Sequence, residues 1–155
     1  MLINLILGLL TMAACLLLQS MLLIVALHYY SNHIYLVNSP SIWSSLIVIN
    51  GVMMILIIGN LAQLTVWALI FWILGEFNEI SAAIYHSAVN FATLGYGDFV
   101  MSDRHKLLGP LEAINGVLMI GVSTATLMSV FQDTMRKTKR ARKSSAEWNS
   151  SFNND

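Results

Sequence analysis

The sequence predicts an all-α membrane protein: three transmembrane helices, a short re-entrant helix and an extended segment after it. Three observations lead there. Hydrophobic residues make up 57% of the 155-residue chain and charged residues 10%, with a mean hydropathy of +0.70, well outside the composition of an ordinary soluble domain. No Asp, Glu, Lys or Arg precedes Glu76, so the first part of the chain can enter hydrocarbon without burying a formal charge. Three apolar runs, Leu2 to Leu27, Leu46 to Leu74 and Leu107 to Phe131, each supply the roughly 20 helical residues needed to cross a ~30 Å hydrocarbon core.

The first run opens with "MLINLILGLL" and lacks the basic flank of a secretory signal, so it is expected to stay in the mature protein as an N-terminal helix. Cys15 lies within it as apolar filler and, being the only cysteine, has no partner for an intrachain disulfide. Residues 28–45 read as a loop. Tyr29, Tyr30, Tyr35 and Trp43 suit a headgroup-level aromatic belt there, and Pro40 marks a break. The second run is expected to form an outer helix over residues 46–75, with Trp67 and Trp72 at its far interface.

Between the second and third runs, residues 78–92 read as a short helix. Asn78 can cap it, Glu79 suits its positive end, and Ala82, Ala83 and Ala88 favour it. Its fifteen residues would measure about 22 Å, too short to span. It is therefore expected to be re-entrant and followed by non-helical backbone, which membrane depth tolerates only against protein or a water-filled cavity. The third run predicts an inner helix over 107–133. Six of the eight basic residues (Arg136, Lys137, Lys139, Arg140, Arg142 and Lys143) follow it directly, which places that end in the cytoplasm by the positive-inside tendency. The tail, residues 136–155, is expected to fray beyond this basic run and can attract anionic lipid.

The chemistry concentrates in "NFATLGYGDF", residues 90–99. A dehydrated monovalent cation needs several oxygens in successive rings. Backbone carbonyls supply them if the chain is extended with alternate residues in torsions that glycine tolerates. Gly95 and Gly97 stand at alternate positions. Thr93 can add a hydroxyl at the inner end, Tyr96 can brace the ribbon, and Asp98 leaves an acid at the outer mouth. "TLGYGD" resembles the selectivity filter of potassium channels, commonly Thr-Val-Gly-Tyr-Gly-Asp, with Leu94 in place of valine. The likeness spans residues 46–135, and the inner segment is similar to that of small bacterial two-transmembrane potassium channels.

The resemblance implies a passive K⁺ channel in which Thr93, Leu94, Gly95 and Tyr96 coordinate K⁺ as the transported ion. Gly97 would shape the filter, and Asp98 would attract cations. Gly121, with Gly116 second, matches the gating-hinge glycine. Glu112, Asn90 and His86 are candidates for filter support. Tyr85 and His86 stand where tryptophans are common, and Val89 stands where some relatives carry a glutamate that clamps the filter aspartate, so that clamp on Asp98 is expected to be missing. Ser123, Thr124 and Thr126 can offer hydroxyls to a cavity. His28 and His33 form no cluster, and His105 stands alone in an outer loop.

A single filter segment per chain implies a homotetramer and disfavours symporters with four such repeats in one chain. The expected setting is a bacterial plasma membrane with a cytoplasmic C-terminus. The first helix would start outside and pack peripherally against the outer helix. No nucleophile, metal cluster, cofactor or nucleic-acid signal accompanies these features, so no enzyme is expected. The alternatives are a non-conducting regulatory subunit of another channel and a poorly selective cation channel.

Overall fold

The computed structural model describes residues 2–38 and 41–152, with side chains to residue 147. Five helices follow in order: α1 Leu2–Asn32, α2 Ile34–Val37, α3 Ile42–Ile73, α4 Ile80–Phe91 and α5 Leu108–Phe152. Three of them, α1, α3 and α5, are long and apolar enough to cross a membrane, and the protein is an integral membrane protein. Their bounds correct the expected ones. α1 runs five residues past Leu27 and α3 begins four before Leu46, which shortens the loop expected over 28–45. The break expected at Pro40 lies outside the described residues. Nor does the tail fray at the basic run, because α5 continues through Phe152. Its Lys, Arg, Ala and Glu residues all favour helix, and Lys143 and Glu147 form an i,i+4 pair at 3.8 Å.

The chain divides into two compact units, and each long helix contributes a part to both. The first unit comprises residues 1–22 and 57–122. Its core gathers Cys15 from α1, Trp67, Ala68 and Phe71 from α3, Ala83 from α4, and Leu108 from α5. Trp67 is fully buried within the chain, because α1 covers that face of α3. Of Trp67 and Trp72, the latter alone is substantially exposed. α1 is also not peripheral to the outer helix alone. Gly8 lets it approach Leu108 and Leu111 of α5, Asn4 donates to the Arg104 carbonyl before α5, and Gln63 of α3 donates to Gln19 at 2.6 Å. Paired amides of this kind satisfy polar groups that lipid cannot.

The second unit comprises residues 23–56 and 123–155, with Ala26, Val37, Val48, Val52, Leu56 and Val130 at its core. Tyr30 is buried there rather than sitting in an aromatic belt. Its hydroxyl donates to Asp133 at 2.7 Å, and Lys137 reaches the same carboxylate at 2.6 Å while lying 5.4 Å over the Tyr30 ring. A second polar contact joins the Ser45 and Thr138 hydroxyls at 2.7 Å.

Candidate functional site

The ends of α3 and α4 deliver the site, and both use one backbone device. At the end of α3, Gly75 has φ 74°, Gly75 N–H donates to the Trp72 carbonyl at 3.0 Å, and Glu76 N–H to that of Phe71 at 3.1 Å. At the end of α4, Thr93 has φ 58°, with Thr93 N–H on the Asn90 carbonyl and Leu94 N–H on that of Val89, both at 2.8 Å. Each pair of bonds is a Schellman motif, which satisfies the last helical carbonyls and usually employs glycine. Threonine fills that place at α4, although a β-branched residue resists positive φ.

Beyond Thr93 the chain carries no regular secondary structure through Gly97. Gly95 and Gly97 take φ 61° and 76°, so left-handed torsions fall at three alternate residues, 93, 95 and 97. Such alternation permits successive carbonyls to face one side, which a pleated strand forbids. Leu94 and Tyr96 are 54% and 65% exposed. Tyr96 is therefore not braced by the helices of its own chain.

α4 begins one to two residues later than expected. Glu79 is its N-cap and makes no side-chain capping bond, so the cap is not Asn78. The negative charge still lies at the positive end of the helix. Along α4, His86 and Asn90 pair with each other. The Asn90 amide approaches His86 Nε2 at 2.8 Å, and His86 Nδ1 lies 3.0 Å from the Phe99 carbonyl. Because a carbonyl only accepts, Nδ1 carries the proton and Nε2 accepts from Asn90. The ring packs against Phe71 and Phe77. Burial lowers the His86 pKa below the ordinary imidazole value, against the opposing bond to Phe99 and the charges of Asp98 and Glu76.

Asp98, expected to lack a clamp, has one from another residue. The Tyr85 hydroxyl hydrogen-bonds to it, and this bond holds the phenol above its usual range. Asp98 also accepts from the Phe99 N–H at 3.1 Å.

Three residues that sequence reasoning did not place in the site fasten its outer rim. Glu76 accepts from the Ser102 N–H and hydroxyl, each at 2.7 Å, and from His105 Nδ1 at 2.5 Å. His105 is therefore not alone. Burial pushes the Glu76 carboxyl up, but the bonds from Ser102 and His105 outweigh it and hold the group below the usual carboxylate range. These contacts tie the start of the α3–α4 connection to the stretch between the extended segment and α5.

Glu112 is fully buried on α5, and the hydroxyl that meets it belongs to Ser87 of α4. Gly116 lies against the Phe91 backbone, where any Cβ would collide with the carbonyl. Gly121 has open space around it, and α5 runs through both glycines without a break. Of the hydroxyls expected at a cavity, Ser123 is buried within its own chain and Thr124 is exposed.

The comparisons fall on this region. The family model described as ion channel matches residues 61–133. Over 73 residues, 46% of this chain, the sequence is 33% identical to the potassium voltage-gated channel protein Shal of Drosophila melanogaster. Over the same length it is 32% identical to the A-type voltage-gated potassium channel KCND3 of Homo sapiens and of Rattus norvegicus. The chain covers 13% of the first and 11% of the others. No solved structure matches it.

Proposed function

We propose, for a chain whose residues 61–133 match the ion-channel family model and are similar to potassium channels, that four copies form a passive K⁺-selective channel. The observation that carries this reading is the alternation of positive φ at Thr93, Gly95 and Gly97 directly after the short helix α4. In the assembled pore, carbonyls of Thr93, Leu94, Gly95 and Tyr96, with the Thr93 hydroxyl, replace water around K⁺. Each chain supplies one edge of every ring. Gly97 lets the ribbon leave the filter, and Asp98, steadied by Tyr85, raises the cation concentration at the mouth. α4 ends at the filter, so its negative end favours a cation beneath it. Gly121 is the first candidate for a bend in α5. Gly116, pressed against α4, is the second.

His86 and Asn90 support the filter by holding the segment after it through Phe99. The basic run of α5 lies in the cytoplasm, and Arg136, Lys139 and their neighbours attract anionic lipid at the inner leaflet of a bacterial plasma membrane. Ion movement follows the gradient, and no bond is made or broken.

The test is flux from the full chain in liposomes under K⁺, Rb⁺ and Na⁺ gradients. Barium-blocked K⁺ and Rb⁺ flux without Na⁺ flux is expected. Equal Na⁺ flux would replace the reading with a poorly selective cation channel, and silence from a properly assembled protein would favour a regulatory subunit.

A further inference from the structure

Ser87 and Glu112 are both fully buried, and their contact can be counted proton by proton. The Ser87 hydroxyl owns one hydrogen and lies against two oxygens: the Leu64 carbonyl of α3 at 2.8 Å and Oε1 of Glu112. If Glu112 were ionised, both neighbours would be pure acceptors, and one could receive no proton. If Glu112 carries a proton, every contact is satisfied in sequence. The carboxyl O–H donates to the Ser87 oxygen, and the Ser87 O–H donates to the Leu64 carbonyl.

The surroundings agree with this count. The second carboxyl oxygen, Oε2, is buried without a hydrogen-bond partner, an expensive state for a carboxylate in a low-dielectric interior. The groups facing Glu112 are Ser87 and Asn90 from α4 and the thiol of Cys15 from α1, together with the Leu64 carbonyl from α3. None of them is a cation.

We infer that Glu112 is held as the neutral carboxylic acid and, by donating to Ser87, is a positioning residue that fixes the height and rotation of α4, the helix on which the filter segment stands. The chain of bonds joins α5, α4 and α3 through one hydroxyl. Loss of the proton turns the Glu112–Ser87 contact from donor–acceptor into a competition with Leu64, so raising the pH loosens α4. The functional consequence rests on the channel reading above; the protonation state and the bracing of α4 do not.

The experiment uses the full chain in liposomes as wild type, Glu112→Gln, Glu112→Ala, Ser87→Ala and Cys15→Ala. Infrared spectroscopy at neutral pH should show a carboxylic-acid C=O band that disappears in Glu112→Gln. A band unchanged in that variant, or absent from the wild type, overturns the neutral acid. Hydrogen–deuterium exchange of the segment around residues 92–99 should accelerate about tenfold in Glu112→Ala and Ser87→Ala, the effect of losing one buried hydrogen bond. It should stay at the wild-type rate in Glu112→Gln, whose amide still donates to Ser87.

Exchange unchanged in the Ala variants overturns the positioning role. Measured against an unstructured reference peptide, which removes the base-catalysed rise common to all amides, wild-type exchange should rise, and K⁺ over Na⁺ discrimination fall, with increasing pH. Glu112→Gln should remove that dependence, and Cys15→Ala should keep it. A wild type that conducts nothing overturns the channel reading, while the infrared band and the exchange rates still decide the role of Glu112.

Discussion

Thr93, Gly95 and Gly97 share positive φ, but they do not share its cost. A side chain at such a torsion opposes the backbone by roughly 1–2 kcal/mol, which Thr93 bears in the folded chain and the glycines avoid. Nothing lies within 4 Å of a Cβ built on Gly95, so the penalty of Gly95→Ala is torsional and not a clash within the chain. The variant should insert and assemble yet lose K⁺ flux; wild-type flux would remove residues 93–97 from the conduction path.

His86 yields a second prediction. Its folded pKa is depressed, so the native state disfavours the proton that an unfolded imidazole accepts below about 6.5. Stability is therefore full above that value and falls as pH drops through it. Glu76, also depressed, loses its contribution only as pH falls below the ordinary carboxylate value of about 4.5. Unfolding midpoints in detergent should decline between pH 7 and 5, and His86→Gln should flatten that interval. An unchanged slope would show that His86 does not titrate in this window.

At the scale of elements, the two glycines of α5 part company. A methyl at Gly116 meets the Phe91 carbonyl, where α4 hands over to the extended segment. Gly116→Ala should therefore destabilise by ~1–3 kcal/mol as an overpacked contact. A methyl at Gly121 meets nothing. Gly121→Ala should raise helix stability by up to ~1 kcal/mol, and it should lower open probability if α5 bends there. Thermal midpoints and single-channel recordings separate the two effects, and a Gly121→Ala channel with wild-type gating would move the bend to Gly116.

The identity of every element but α2, which falls in the stretch 28–45 that reads as a loop, was legible because its signal is local. Apolar length marks α1, α3 and α5, alanines with an acid at the positive end mark α4, and the Gly-Tyr-Gly spacing marks the extended segment. What escaped depends on contacts between distant residues. Glu76 meets Ser102 and His105 at separations of 26 and 29 residues, and no periodicity announces such a meeting. Trp67 carries the composition of an interfacial residue, and only the packing of α1 over α3 buries it. Tyr85 meets Asp98 although Val89 leaves the glutamate clamp missing, because a phenol reaches the same carboxylate from a different position on α4.

At the scale of the whole molecule, the single chain leaves uncovered what a membrane cannot solvate. Around the extended segment, Leu94, Tyr96 and Val100 are 54%, 65% and 77% exposed, and Ile114 and Val117 of α5 are 53% and 57% exposed. The α5 side chains could face lipid, since hydrocarbon accepts them as readily as protein does. The backbone between Thr93 and Gly97 could not. Apart from the Thr93 and Leu94 N–H groups, which bond back to α4, its N–H and C=O groups have left the helix, and lipid offers no partners at several kcal/mol for each group. Under the channel reading, other copies of the chain close around this segment, leaving its remaining face to water and ions. Rotational closure with one filter segment per chain leads to a ring of four under the channel reading. Native mass spectrometry of the detergent-extracted protein should give four times the 17.2 kDa chain mass. Tyr96→Ala, which removes an exposed aromatic from the contact surface, should shift that population toward smaller species. A monomer that nevertheless conducts K⁺ would contradict the shared filter outright, and a stable dimer would require each chain to supply a second filter-like segment, which the sequence does not contain.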